Sequence, residues 1–364
     1  MSGLLVTPRW KGFPRRSSTN LSFSDGGADS QEPPPLPSAD GELQIEGVID
    51  CGKEVMSCRF NPSGTLLAAG LVDGTIKVYS VSDWSCVHTL KDDQTAAHHL
   101  PVTAVRFVPG RQASQGDLLL ATYAGGQVKF WHVSTQSCVR SLQEDRQTLA
   151  VTFSPSGSHF LTAGSSDDIN VYDTETAARM NVCQPSPSVS VMDGHRSRIF
   201  GLAFHPSGEE DFVSGGWDDT VQFWNIRQKH SLRRISGPHV CGDSLDIDPE
   251  TNEILVGSWR KQESLEIWDS QTGQKRQTVP DDYRGQSRVY SCRWLGPDHM
   301  MVAGSDINMC RVIDRGSLMT RGCLIDLPAG VYSTDVSSSA PPLLAVTSGH
   351  SLYLLRFQQS NELH

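Results

Sequence analysis

The chain has 364 residues, 20% of them charged, and a formal net charge of −10. This length allows one large or two medium domains, and the acidic balance argues against general nucleic-acid binding through bulk electrostatics. No apolar run reaches the ~18 residues of a membrane span, and no long apolar stretch near the N-terminus predicts a secretory signal. Nine scattered cysteines without metal-type spacing favour a reducing compartment, so we expect a protein of the cytoplasm, the nucleus or both.

Residues 1–40 are rich in Ser, Pro and Gly, a composition that predicts a disordered tail. Four basic residues precede the first acidic one, so charge is segregated along this segment. Residues 15–18 match a basophilic kinase site with Ser18 as acceptor, and residues 22–25 match an acidophilic site at Ser22. Phosphate beside the arginines would reverse the local charge, and we predict phosphorylation at both serines. The alternative for the tail is a plain spacer.

From residue 54 to residue 358 one pattern occurs seven times. It contains a strand, a Pro/Ser/Gly-type turn, a second strand, a tight Asp/Gly turn, and a third strand that closes on a large apolar residue. Such a period of about 40–50 residues predicts an all-β protein, a seven-bladed β-propeller. The two longest repeats contain insertions at 111–117 and 180–192. The closing positions are Tyr79, Trp131, Tyr172, Trp224, Trp268, Ile313 and Leu355.

The last repeat supplies only three predicted strands, within residues 331–357. A further strand is predicted at 43–49, just before the first repeat. Because an open ring would leave unpaired strand edges, we expect this N-terminal strand to complete the last blade. The predicted propeller therefore covers residues 41–358, and residues 359–364 form a short C-terminal tail.

Blade four carries Gly194-His195 before its first strand and the run Gly-Trp-Asp-Asp-Thr-Val-Gln-Phe-Trp at 216–224. These residues resemble the WD-repeat family, and the resemblance extends over about 41–358. It implies the fold and says little about function, since one fold hosts unrelated sites. It also implies a structural hydrogen-bond chain inside blade four. The other blades lack the full set, so we expect their packing to rest more on apolar layers. The residues of the chain are His195, Ser214, Asp218 and Trp224.

The sequence contains no Gly-rich phosphate loop, no zinc-protease motif and no nucleophile elbow. The adjacent His98 and His99 lack further metal ligands, and no set of acids or metal ligands can be assembled around the central channel. We therefore predict a protein that is not an enzyme, with no catalytic residue, metal site, cofactor or small-molecule substrate. The expected partners are proteins or peptides rather than membranes or nucleic acid, bound by a monomer within a complex.

Residues 212–227 resemble the sixteen-residue box of substrate receptors of cullin-RING ubiquitin ligases. The resemblance implies that Asp218, Trp224 and Arg227 dock blade four on the adaptor propeller. Asn225 departs from it, because an acid is usual at that position. Arg is a suitable anchor, since its planar fork pairs bidentately with a carboxylate. The alternative is that the box is ordinary blade sequence.

Large aromatic residues gather at one end of the predicted strands in blades four to seven, whereas Met56, Thr103 and Leu149 occupy matching positions in blades one to three. Aromatic and Arg side chains dominate interface energetics, so this sector predicts a face that binds peptides. Trp217 lies on a turn and should be exposed, while Phe200 and Tyr332 either join the face or pack inside the ring. The predicted partner-binding residues are Arg198, Phe200, Trp217, Trp259, Arg260, Arg288, Tyr290 and Tyr332.

Overall fold

The computed structural model describes residues 35–110, 117–188 and 190–358. Ser18, Ser22, most of the predicted tail and the last six residues lie outside these ranges. Two strands precede the first blade, β1 (Ser38–Gly41) and β2 (Leu43–Asp50). The one helix in the described ranges, α1 (Asp93–His98), follows blade one and ends at the exposed His98-His99 pair.

Blades one to four are four-stranded antiparallel sheets that follow the chain in order. Blade one contains β3 (Val55–Phe60), β4 (Leu66–Leu71), β5 (Ile76–Ser80) and β6 (Cys86–Leu90), and blade two contains β7 (Val102–Phe107), β8 (Leu118–Tyr123), β9 (Gln127–His132) and β10 (Ser137–Gln143). Blade three contains β11 (Thr148–Phe153), β12 (His159–Gly164), β13 (Ile169–Asp173) and β14 (Arg179–Cys183), and blade four contains β15 (Ile199–Phe204), β16 (Asp211–Gly216), β17 (Thr220–Asn225) and β18 (Arg233–Ser236).

Blades five to seven complete the ring. Blade five contains β19 (Leu245–Ile247), β20 (Glu253–Gly257), β21 (Leu265–Asp269) and β22 (Lys275–Thr278), and blade six contains β23 (Ser287–Leu295), β24 (His299–Asp306), β25 (Cys310–Asp314) and β26 (Thr320–Ile325). Blade seven contains β27 (Thr334–Val336), β28 (Leu343–Ser348) and β29 (Ser351–Phe357). The predicted all-β, seven-bladed propeller is confirmed.

The predicted closure of the ring is also confirmed. Strand β2 pairs antiparallel with β29, from Leu43 opposite Phe357 to Asp50 opposite Ser351, and becomes the outer strand of blade seven. Each first strand contacts the first strands of both neighbouring blades, from β3 through β7, β11, β15, β19, β23 and β27 back to β3. The seven first strands therefore surround the central channel.

Blade six has a fifth strand, because β1 pairs with the outer edge of β26. The predicted tail boundary at residue 40 falls inside this strand, so the assignment of residues 38–40 to a disordered tail was wrong. Polar and glycine-rich sequence buries little surface, yet an unpaired strand edge offers backbone hydrogen bonds to almost any sequence. Asp40 also forms an ion pair with Arg284 beside blade six.

The core lies between adjacent blades, whose apolar faces pack against each other. The predicted closing residues occupy one register position on the third strands, where Trp131 and Trp224 are almost completely buried. In every blade the closing residue stands opposite an apolar residue of the second strand. The pairs are Leu67–Tyr79, Leu119–Trp131, Phe160–Tyr172, Phe212–Trp224, Ile254–Trp268, Met300–Ile313 and Leu344–Leu355.

Candidate interaction face

A β-bulge positions the side chains at the start of the first strands. In blade four the register against β16 shifts between Ile199 and Gly201, and in blade six the register against β24 shifts between Val289 and Ser291. Phe200 and Tyr290 are the residues at these two shifts. A bulge redirects a side chain and interrupts regular strand pairing. The same local irregularity therefore places both aromatic side chains on one face of the propeller. Blades one to three have the same shift, at Met56, Thr103 and Leu149.

Six rings form an unbroken row across blades four to seven. The ring of Phe200 lies 5.2 Å from Trp217, which stacks on His239 at 6.1 Å, and His239 lies 6.5 Å from Trp259. The sequence reasoning missed His239, which lies in the connection between blades four and five, where no repeat signature marks it. We call the following residues the aromatic row: Phe200, Trp217, His239, Trp259, Tyr290 and Tyr332.

The second half of the aromatic row is held by a hydrogen bond as well as by ring contacts. Trp259 lies 6.5 Å from Tyr290, and its Nε1 donates to the Tyr290 hydroxyl over 2.8 Å. The ring of Tyr290 then meets Tyr332 edge-on at 5.2 Å. Aromatic pairs at these separations are mutually stabilising, so the row is a rigid platform rather than a set of independent side chains.

Exposure differs along the aromatic row. Trp217 is 36% exposed, in agreement with its predicted place on a turn. Phe200 and Tyr290 are only 9% and 4% exposed. Of the two alternatives for Phe200, packing inside the propeller therefore describes its side chain better. Trp259 and Tyr332 are half-buried. Trp217 therefore presents the largest accessible aromatic surface, and the other rings support it from below and beside it.

Two of the three predicted arginines stack on the aromatic row. The guanidinium of Arg198 lies 5.5 Å from the ring centre of Trp217, and that of Arg288 lies 4.2 Å from the ring centre of Trp259. Such cation–π contacts hold a guanidinium near an apolar surface. Arg260 instead turns toward the buried Glu266, at 3.3 Å, within blade five.

Acidic residues also reach this face, which is therefore not purely basic. The Nε atom of Arg288 lies 2.9 Å from the carboxylate of Asp306. The Nδ1 atom of His239 lies 2.6 Å from the carboxylate of Asp219. Both carboxylates are well exposed, at 46% and 64% of their side-chain surface. A partner thus meets both signs of charge around the aromatic row.

The four residues grouped by the family resemblance are joined by hydrogen bonds inside blade four. His195 Nδ1 lies 3.0 Å from Asp218 Oδ2, and His195 Nε2 lies 2.6 Å from the Ser214 hydroxyl. Trp224 Nε1 donates to the same hydroxyl over 2.7 Å. Burial works against ionisation of Asp218, but its hydrogen bond and charge interaction with His195 hold its pKa below the usual range. Since Asp218 follows Trp217 directly, this network fixes the turn that presents Trp217.

Blades three and five contain buried polar networks of their own beside their apolar layers. In blade three the buried Glu144 accepts hydrogen bonds from the Tyr172 hydroxyl, at 2.8 Å, and from Arg146 Nε, at 2.9 Å. In blade five the buried Glu266 accepts from Trp268 Nε1 at 3.2 Å. A buried carboxylate must be satisfied in this way, and different residue types here meet the same requirement.

The residues of the predicted docking box differ sharply in accessibility. The side chains of Asp218 and Trp224 are buried, so they can shape the hairpin but offer almost no surface to a partner. Arg227 is the exception, with 76% of its side chain exposed and an ion pair to Glu210 at 2.5 Å. Asn225, which replaces the usual acid, donates to Asp211 at 2.8 Å.

The central channel contains a charged cluster that the sequence reasoning did not assemble. Arg59, Arg106 and Arg293 turn Nη2 toward one oxygen, Oδ2 of Asp243, and the Arg106 contact measures 2.7 Å. Burial and repulsion from Arg293 lower the pKa of Arg59 to about 10, although Asp335 opposes this effect. The signal was one repeated position near the end of the first strands, which is the next-to-last residue in six blades and the third from the end in blade six. Those positions are Arg59, Arg106, Thr152, Ala203, Asp246, Arg293 and Asp335.

The described residues contain neither a grouped set of metal ligands nor a helix suited to a membrane. Across 35–110, 117–188 and 190–358, no three His, Cys, Asp or Glu side chains are grouped to hold a metal ion. In the same ranges no helix has the length and apolar character needed to cross a membrane.

The WD-domain, G-beta-repeat family model matches residues 47–80 and 186–225. The chain is therefore a seven-bladed β-propeller that contains WD repeats in blades one and four. It is 25% identical to a transcriptional corepressor of Arabidopsis thaliana over 63% of its length, and 27% identical to a target of rapamycin complex 1 subunit of Schizosaccharomyces pombe over 68%. It is also 25% identical, over 60%, to a guanine nucleotide-binding protein subunit beta of Arabidopsis thaliana.

The chain spans only part of these relatives. The matched region covers 26% of the corepressor, 19% of the complex subunit and 58% of the beta subunit. The first of these relatives is a transcriptional corepressor, and the other two are subunits by name. This similarity fits a protein-interaction scaffold.

Proposed function

We propose that the protein is a non-catalytic scaffold that binds a peptide or protein segment on the aromatic row. The observation that carries the proposal is the exposed Trp217, buttressed by Phe200, His239 and the cation of Arg198. Rigid aromatic anchors with adjacent Arg are the residue types that dominate binding energy at protein interfaces. The similarity to subunits of assemblies supports the same class of function.

The surroundings of the row indicate the chemistry of the bound segment. Arg198 and Arg288 suit acidic or aromatic side chains, whereas Asp219 and Asp306 suit basic ones. The row extends over four blades, which suits an extended segment of several residues. A methylated lysine is disfavoured, because two guanidiniums already occupy the cation–π positions.

Affinity purification of the tagged protein from cells, followed by quantitative mass spectrometry, tests this proposal. Trp217→Ala should lower recovery of the direct partner about tenfold or more, since an interface anchor contributes ~2 kcal/mol or more. Met180→Ala is the matched control, because Met180 is an exposed apolar residue on β14, outside the row. An unchanged set of partners for a folded Trp217→Ala protein would refute the proposal.

A second candidate function is a substrate receptor of a cullin-RING ligase, favoured by the exposed Arg227 at the end of the blade-four box. Arg227→Glu should then abolish association with the adaptor and leave the partner of the aromatic row bound. Adaptor association that persists in this variant, or that never occurs with the wild type, would reject this function.

We place the protein, acting as one chain within a complex, in the cytoplasm or the nucleus, in keeping with its nine free cysteines.

A further inference from the structure

The cluster in the central channel has an unusual geometry. Three guanidiniums, from blades one, two and six, converge on a single oxygen of Asp243, which belongs to the connection before blade five. A carboxylate usually receives one Arg as a two-pronged pair that uses both of its oxygens. Here one internal carboxylate occupies a position where three cationic donors meet.

The arginines are held in place by contacts other than Asp243. Arg59 Nη1 donates to the carbonyl oxygen of Thr334 over 2.7 Å. Arg106 Nη1 donates to the preceding carbonyl, of Val105, over 2.8 Å, and Arg293 Nη1 donates to that of Cys292 over 2.9 Å. Each guanidinium is therefore oriented by backbone acceptors of the first strands. Arg293 Nη1 also lies 3.3 Å from the backbone carbonyl oxygen of Asp243, a contact that does not involve the carboxylate.

Asp243 is half-buried and lies just before the first strand of blade five, where its backbone forms an isolated bridge with Ser291. Its side chain is 21% exposed, and those of Arg106 and Arg293 are 16% and 14% exposed, so solvent reaches the cluster. At the matching positions of blades three and four the chain has only the short, half-buried side chains of Thr152 and Ala203. This side of the channel wall therefore projects little into the channel.

We propose that the three arginines form a phosphate-binding site in the central channel, in which Asp243 is an internal ligand that a phosphate group displaces. A tetrahedral phosphate offers a separate oxygen to each guanidinium and up to two negative charges, whereas Asp243 offers one oxygen and one charge. Asp335 lies 3.5 Å from Arg59, and Asp246 also interacts with this guanidinium, so these two carboxylates offset part of the positive charge of the cluster. This site uses none of the side chains of the aromatic row, although the backbone of Asp243 forms a bridge with Ser291, the neighbour of Tyr290.

Isothermal titration calorimetry with inorganic phosphate, at constant ionic strength, tests the proposal in the wild-type protein. Arg106→Met should weaken binding at least about tenfold, because one charge-assisted donor is lost. Asp243→Asn should strengthen binding at least about tenfold, because the competing internal carboxylate loses its charge. Arg227→Met is the matched control; it removes one exposed Arg of blade four and should leave the affinity unchanged.

Several outcomes would overturn the proposal. They are absence of phosphate binding to the folded wild type, equal affinities of wild type and Arg106→Met, and equally tight binding of succinate, which carries only carboxylates. If Asp243→Asn fails to fold, the comparison of wild type with Arg106→Met still decides. Phosphoserine, titrated alongside, distinguishes the source: tighter binding than inorganic phosphate points to a phosphate monoester, and weaker binding points to the free anion.

Discussion

Removal of the outer strand of blade seven tests how the ring is closed. Strand β2 pairs along its length with β29, and its Leu43 and Ile49 are only 3% and 7% exposed. Burial of one such side chain contributes ~1.5–3 kcal/mol, so the two supply ~3–6 kcal/mol as an upper estimate. Native domains are stable by only ~5–15 kcal/mol, so a chain that begins at residue 51 should lose most of its stability.

Strand β1 provides the internal comparison. Its four residues are mostly exposed, and its Asp40–Arg284 ion pair is on the surface. Exposed ion pairs contribute ~0–1 kcal/mol, so a chain that begins at residue 42 should lose less than about 2 kcal/mol. Urea unfolding followed by circular dichroism measures the free energy of unfolding of chains that begin at residues 38, 42 and 51.

A pair of point variants separates the contribution of one buried side chain from that of the backbone pairing of β2. Ile49→Ala should cost ~2–4 kcal/mol, whereas Val48→Ala, on the neighbouring position that is 54% exposed, should change stability by less than about 0.5 kcal/mol. The reasoning would be refuted if the chain from residue 51 unfolded at the same urea concentration as the chain from residue 42. Equal effects of the two point variants would refute the assignment of the buried face.

Three further predictions concern the buried polar networks. Asp218 has a lowered pKa in the folded state, so its contribution to stability is present above the unfolded value of about 3.9 and is lost as pH falls through the folded value. The unfolding free energy of Asp218→Asn should therefore fall less steeply than that of the wild type below about pH 4, and parallel profiles would contradict this. Trp224→Phe removes the donor to Ser214 and should cost ~1–3 kcal/mol in urea unfolding. Tyr172→Phe, which removes a donor to Glu144, should cost a similar ~1–3 kcal/mol, and no change would mean that apolar packing alone supports blade three.

The sequence determined the blades and their closure, because both depend on local patterns. Alternating residues, turn residues and a closing residue such as Trp224 recur within each repeat, so every blade can be recognised without its neighbours. The missing strand of blade seven left an unpaired edge, and residues 43–49 were the available strand. The turn position of Trp217 likewise predicted its exposure.

The tertiary structure alone decided which side chains meet. Ring closure brings Arg59, Arg106 and Arg293 to Asp243, although blade one and blade six are far apart in sequence. His239 enters the aromatic row from a connection without any repeat signature. The arginines share a repeated position on the first strands, but spacing along the chain does not tell which of these side chains meet, because the circular arrangement of the first strands sets the distances across the channel and between blades.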